Sequence, residues 1–190
     1  MVRKELTNSE VAVLDFWETE EIIIRDTIVE DIDSLQEIYI QSQSTEGWTR
    51  NEEFTNDYIH NAFSKGNLPP GGMKKYYKIQ SMIHKKSSKI MGFLEVYLGY
   101  PQEDVVYIGT LLFCEDYRNK GYGQEVMTEF LKQIVELGFS KARLGVTLRN
   151  WSGIYFWNKL GFDKITKYVG DKVFTNDSFA ILELERNLIV

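Results

Sequence analysis

Apolar residues fall along this chain in runs whose spacing switches between a helical and an alternating period. The β-branched run Ile22-Ile23-Ile24, followed by Arg25-Asp26, predicts a strand. Asp31 and Asp33 then open a helix that carries Ile32, Leu35, Ile38 and Tyr39 on one face. A second helix is expected from Glu52 to Phe63, where Phe54, Tyr58 and Ala62 recur at four-residue spacing. Pro69-Pro70-Gly71-Gly72 marks residues 64–75 as a loop, too short and isolated to be a domain linker. Three strand-like runs follow, Tyr76 to Ile83, Ile90 to Leu98 and Val105 to Cys114, joined by short polar turns as in an antiparallel meander. A long helix is expected from Tyr122 to Leu137, with Val126, Phe130, Ile134 and Leu137 as its stripe and Gly138 at its end. Ala142, Leu144, Val146 and Leu148 alternate as a strand; Asn150 to Leu160 reads as a helix stopped by Gly161; Phe162 to Val169 and Phe179 to Leu188 close the chain as strands. At the start, Thr7 and Glu10 have capping-box spacing, which predicts a short helix through Val13, Leu14 and Trp17 within an N-terminal extension, residues 1–19.

This order gives a mixed α/β fold in a single domain over residues 20–190, and the long helix between two strands predicts a parallel crossover. The composition agrees: 190 residues, 43% hydrophobic and 26% charged, suit one globular unit with a substantial core. The net charge of −6 removes a whole-chain basic footprint for nucleic acid and tilts toward cationic or amine substrates. The single cysteine, Cys114, excludes an internal disulfide framework and a cysteine zinc cluster, and His60 and His84 offer no metal spacing. The N-terminus lacks the apolar core of a signal peptide, and the longest apolar stretch is about half a membrane span. The expectation is a cytoplasmic protein with no membrane, nucleic-acid or metal partner.

The stretch that points to chemistry is Tyr117-Arg118-Asn119-Lys120-Gly121-Tyr122-Gly123-Gln124, between a strand and the long helix. Its glycines let the backbone approach a bulky ligand, the helix start offers unpaired N–H groups, and Arg118 and Lys120 add positive charge. That suits phosphates. A plain glycine-bearing turn before a helix would look the same. The dinucleotide fingerprint and the Walker pattern do not fit.

Arg118-x-x-Gly121-x-Gly123 after a strand resembles the acetyl-CoA pyrophosphate loop of the GNAT N-acetyltransferase superfamily. The segment from Asn150 through Trp157 and Lys159 to Gly161-Phe162 resembles that family's N-x-x-A-x-x-x-Y-x-K-x-G-F pattern, and Ile24-Arg25-Asp26 leading into Asp31 resembles its opening strand and helix. The three lie in the family's order and span about residues 20–188. Pro69-Pro70-Gly71-Gly72 and Gly99-Tyr100-Pro101 are similar to a bacterial subset of the family.

The resemblance implies a mostly antiparallel sheet with one splayed parallel strand pair and helices on both faces. It implies acetyl-CoA as co-substrate and transfer of its acetyl group to a primary amine of a small molecule or peptide. The pantetheine arm would pair with the main chain of Leu111 and Phe113, and amides from Asn119 to Gln124, with Arg118, would hold the pyrophosphate. Asn150 matches a position that contacts the CoA arm, and it equally suits a helix N-cap. The family's acidic tyrosine, seven residues after Asn150, is Trp157 here; an indole cannot supply a proton near neutral pH, but it can pack on the pantetheine arm or in the core. Tyr155 lies about 200° around the helix from it.

Relatives often place a basic glutamate within the strand matching Val105–Cys114, and none stands mid-strand here. Tyr107 shares a face with Leu111 and Phe113 by strict alternation, which would aim it into the cleft. Glu95, a carboxylate in an apolar strand, is either a base buried in the cleft or an ordinary solvent-facing residue. The acceptor site is expected between the first two helices, the 64–75 loop and the last two strands, with Trp48, Tyr58, Tyr97 and Tyr100 available as lining. A homodimer is common in the family. The alternatives are a longer acyl donor, a non-catalytic CoA-binding module, and a generic phosphate-binding domain.

Overall fold

In the computed structural model, residues 12–42, 55–173, 175 and 178–188 are described. They form an eight-stranded sheet in the order β1-β2-β3-β4-β5-β6-β8-β7. The strands are β1 (Phe16–Glu18), β2 (Ile22–Asp26), β3 (Tyr77–His84), β4 (Ile90–Leu98), β5 (Val105–Phe113), β6 (Lys141–Thr147), β7 (Lys164–Gly170) and β8 (Ala180–Asn187). The helices are α1 (Ile32–Ser42), α2 (Tyr58–Ser64), α3 (Tyr122–Glu136) and α4 (Trp151–Lys159). All neighbouring strands are antiparallel except β5 and β6, joined by the expected crossover through α3.

Alternation in the strands divides the core into two layers. Leu94, Val96, Val106, Ile108 and Leu144 face α3 and α4, meeting Val126, Met127, Phe130 and Ile134. Phe93, Tyr97, Ile79 and Leu112 face α1 and α2, meeting Leu35, Ile38 and Ile59. Helices therefore cover both sides of the sheet, as a sheet with two apolar faces requires.

Most element ends lie within two residues of the sequence reading, and two elements differ by more. Trp17 lies in strand β1, paired with Ile24, so the helix expected through Val13, Leu14 and Trp17 is not formed there; Thr7 and Glu10 lie outside the described residues. Burial of Val13 and Trp17 against the sheet wins over the local capping signal. Helix α2 begins at Tyr58 instead of Glu52, with residues 55–57 in a turn and 52–54 outside the described residues.

The start of α1 is fixed by charge. Arg25 grips Asp31 with two hydrogen bonds of 2.6 and 2.9 Å, and Ser81 Oγ and the Ile28 amide also donate to that carboxylate. Burial pushes the Asp31 carboxyl up, but these hydrogen bonds outweigh it and hold it below the usual carboxylate range.

Two features of β5 position the site. Pairing with β6 runs only from Val105↔Lys141 to Ile108↔Leu144. Beyond that point β5 stays with β4 as far as Phe113, while β6 stays with β8 as far as Thr147, so the two strands part. At the same point β5 carries a bulge: Glu95 pairs with Thr110 and Val96 with Ile108, which leaves Gly109 as the extra residue.

Candidate active site

The bulge overturns one expectation about side-chain direction. Strict alternation would put Tyr107 on the face of Leu111 and Phe113. The extra residue at Gly109 reverses the phase. Leu111 and Phe113 pack toward α3 and α4, whereas Tyr107 packs with Leu112 on the α1/α2 side. Tyr107 nevertheless reaches a cleft, because the cleft is on that side.

This cavity, about 620 Å³, is lined by Tyr58, Tyr77, Tyr97, Tyr100 and Tyr107, by Glu95 and Gly109, and by the loop from Gly66 to Pro70. Tyr58, Tyr97, Tyr100 and the 64–75 loop were expected here; Trp48 lies outside the described residues, and β7 and β8 contribute nothing to this lining.

Glu95 is at the centre, 1% exposed, so it is no solvent-facing strand residue. The Tyr58 hydroxyl donates to its Oε2 at 2.6 Å and Asn67 Nδ2 to its Oε1 at 2.7 Å, and the Tyr77 hydroxyl donates to Oε1 as well. Thr110 Oγ1 lies 3.2 Å from the Tyr58 hydroxyl. The carboxylate thus ties the start of α2, the 65–73 loop and the start of β3 to the sheet. Burial, then the negative charge of Glu95, pushes the phenols of Tyr58 and Tyr77 well above the ordinary tyrosine range. Burial and then Glu183 push Tyr107 up to about 12. All three hydroxyls stay protonated at neutral pH and can donate. Tyr97 instead accepts the Met73 amide at 2.8 Å.

Tyr77, Asn67 and Thr110 were missed in the sequence. No motif marks them, since Tyr77 and Asn67 reach Glu95, and Thr110 reaches Tyr58, from three separate elements. The bulge had a signal: an isolated glycine inside a strand run often marks one.

On the other side of the sheet, β5 runs into the glycine loop. A short 3-10 turn, Glu115–Tyr117, is followed by Asn119 at φ +58° and by Gly121 at φ +90°, the N-cap of α3. No side chain caps that helix, so its first amides, Tyr122, Gly123 and Gln124, point out of its end. A Cβ on Gly123 would lie 3.1 Å from the Phe156 ring, so glycine is what lets α4 come this close. Lys120 is exposed. Arg118 Nε donates to the Phe113 carbonyl at 2.8 Å and so ties the loop to the end of β5.

The Cys114 amide donates to Met91 of β4 at 2.8 Å, so by alternation the main chain of Phe113 and Leu111 turns to the parted side. Asn150 caps α4, its Oδ1 accepting from the Gly153 amide at 2.8 Å. Trp157 is buried between Phe156 and Phe162, with ring centroids 4.8 and 5.3 Å away, while Tyr155 is 73% exposed and faces away.

A parted parallel pair beside an uncapped helix start is one observation; a family match is another. The acetyltransferase (GNAT) family matches residues 34–162. The chain belongs to the GNAT acetyltransferase family.

Solved structures agree on the fold. An N-acetyltransferase from Staphylococcus aureus Mu50 is 15% identical, with 90% of this chain and 100% of that one covered at a TM-score of 0.68. The phosphinothricin acetyltransferase of Sinorhizobium meliloti, solved with acetyl-CoA, is 19% identical, with 88% of each chain covered at 0.65. The yncA protein of Salmonella typhimurium, also solved with acetyl-CoA, is 14% identical, with 90% and 95% covered at 0.64. No curated protein matches. Among the described residues, no helix is long and apolar enough to cross a membrane.

Proposed function

We propose that this GNAT-family chain is an N-acetyltransferase that uses acetyl-CoA to acetylate a primary amine. One observation carries the reading: Gly109 both lines the cavity holding Glu95 and begins the stretch of β5 that has left β6. The acceptor cavity and the cofactor groove therefore meet at one backbone position. A phosphate-binding domain has no need of that junction.

The residues fit the cofactor. The amides of Tyr122, Gly123 and Gln124, with Asn119, Lys120 and Gly121 shaping the turn, would hold the pyrophosphate. Arg118 would keep the loop in place through Phe113. The Leu111 and Phe113 main chain would pair with the pantetheine arm, Asn150 would meet it through Nδ2, and Trp157 would back the groove from the core. When bound, acetyl-CoA supplies an activated acetyl group, which leaves sulfur for the amine nitrogen as one C–S bond breaks and one C–N bond forms.

The chain's own work is with protons. The amine would reach the buried carboxylate of Glu95 by way of the hydroxyls of Tyr58 and Tyr77, which donate to it. A hydroxyl can accept the amine proton while passing its own to Glu95, which makes Glu95 the base and the tyrosine its relay. Tyr107, held protonated by burial and by Glu183, would be the donor that Trp157 cannot be, returning a proton to the departing sulfur.

The test is calorimetric titration with acetyl-CoA of the wild type and of Gln124→Asp. Gln124 is exposed in the first turn of α3, so an aspartate there suits the helix dipole and leaves the fold intact, yet repels a pyrophosphate. Binding by the wild type that weakens about fivefold in the variant supports the reading, since one charge at a helix end is worth up to about 1 kcal/mol. No binding by the folded wild type overturns it.

A further inference from the structure

The cavity walls carry information about the acceptor beyond its being an amine. Five tyrosines line the cavity together with Glu95, and two of them, Tyr58 and Tyr77, donate to its carboxylate. Three of them form a continuous wall: Tyr97 and Tyr100 meet at 6.3 Å and 87°, and Tyr100 and Tyr107 at 5.7 Å and 71°. In an edge-to-face contact the edge of one ring covers one face of the other, and the opposite face is not used by the contact. Pro69 and Pro70 add apolar surface at the loop side.

Charge in the lining is one-sided. Among the described residues, Glu95 is the only formally charged side chain lining the cavity, and neither lysine nor arginine is present there. Among the described residues, Arg143 and Lys74 are engaged elsewhere. Arg143 pairs with Glu185 at 2.5 Å and with Glu183 at 3.3 Å. Lys74 Nζ donates to the carbonyls of Phe63 and Ser64 at 2.6 and 2.5 Å. Glu183 raises Tyr107 from the side of β8 and its ion-pair partner Arg143 lowers it, so that pair leaves Glu95 as the charge of the lining.

We infer that the acceptor is a cationic primary amine with an aromatic or aliphatic body and no carboxylate or phosphate of its own. The inference rests on the acetyl-transfer reading and narrows its substrate. Ring faces and phenol oxygens attract an ammonium group, and the buried carboxylate strengthens that attraction. The apolar body gains from leaving water against tyrosine and proline. An amino acid would bring a carboxylate into a space with no cationic partner among the described residues and with Glu95 already there, so it would lose its hydration without compensation. The volume of about 620 Å³ lies in the ordinary range for a small-molecule site.

The experiment compares matched pairs that differ only in a carboxylate. Phenethylamine is set against phenylalanine, and hexylamine against norleucine, each with acetyl-CoA and with release of the CoA thiol as readout. The expected result is a kcat/KM at least about 100-fold higher for the amine of a pair, the scale on which an unpaired polar group is rejected. In parallel, Tyr100→Ala should raise KM for phenethylamine about tenfold, and Tyr100→Phe should restore it, because the ring face and not the hydroxyl is what the wall supplies. Equal or better turnover of the amino acids overturns the inference while leaving acetyl transfer standing. So does the absence of turnover with both amines in a protein that binds acetyl-CoA by calorimetry. Loss of acetyl-CoA binding itself is a failure of the transfer reading, seen in that separate measurement, and the inference falls with it.

Discussion

Glu95 is a carboxylate that the fold takes out of water and then surrounds with three donors, from Tyr58, Tyr77 and Asn67. Such a group has two uses. As a clamp it joins α2, the following loop and β3; as the base of the proposed reaction it would accept a proton handed on by a phenol. Glu95→Gln separates them. Glutamine keeps the shape and an acceptor oxygen but cannot take up the proton, so kcat should fall about 100-fold, the lower end of general-base contributions. Affinity for acetyl-CoA should not change, because the loop and the α3 amides lie on the other side of the sheet. Steady-state kinetics beside calorimetry decide it: an unchanged kcat in a folded variant leaves Glu95 as a clamp only. The sequence showed Glu95 as an anomaly, a charge in an apolar strand, but it could not choose between cavity and solvent. That choice depends on which face of β4 the 65–73 loop covers, and no local pattern encodes it.

At the scale of elements, most of the fold was legible because periodicity reports burial directly. Ile90–Leu98 matches the strand without adjustment, and the stripe Val126, Phe130, Ile134 faces the core as its spacing requires. The failures are places where tertiary contact or one residue changes the rule. Trp17 became part of a strand because its ring packs on Phe130, at a centroid distance of 6.3 Å, and its indole N–H reaches Gln80 at 3.0 Å. Tyr107 changed face because Gly109 interrupts a two-residue period. The glycine loop was legible as a motif, and its two glycines turn out to have different jobs. Gly123 is a matter of space, against Phe156, whereas Gly121 has nothing within 4 Å of a would-be Cβ and is a matter of φ alone. Gly121→Val should therefore cost about 1–2 kcal/mol, the penalty for a left-handed residue, while Gly121→Asn should cost clearly less, since asparagine tolerates that region. Urea unfolding of the two variants measures the difference. Equal losses would mean that crowding, not backbone conformation, selects glycine at this helix start.

For the whole molecule, the shifted groups predict how stability depends on pH, with opposite causes at the two ends. Asp31 and Glu185 are both nearly buried. In each, burial raises the carboxyl, but hydrogen bonds outweigh it, from Arg25 and Ser81 for Asp31 and from Lys164 and Arg143 for Glu185. Their folded values therefore lie below the unfolded ones, near 3.9 and 4.3. The stabilisation is complete above about pH 5 and is lost as pH falls through the folded values, because the unfolded chain then binds protons that the folded chain refuses. The phenols of Tyr58, Tyr77 and Tyr107 are raised, Tyr107 to about 12. Below about pH 10 both states hold these protons and the phenols add no slope. Above it the unfolded chain releases them while the folded chain retains them, so stability falls as pH rises, at up to about 4 kcal/mol per pH unit for three groups. Urea midpoints across pH 3 to 11 should thus form a plateau that drops on both sides. The alkaline limb is specific to the cavity: Tyr107→Phe should reduce its slope by up to about 1.4 kcal/mol per pH unit and leave the acid limb where it is. An alkaline limb unaltered by Tyr107→Phe would show that this phenol meets solvent freely, and a freely solvated Tyr107 could not serve as the retained proton donor of the site.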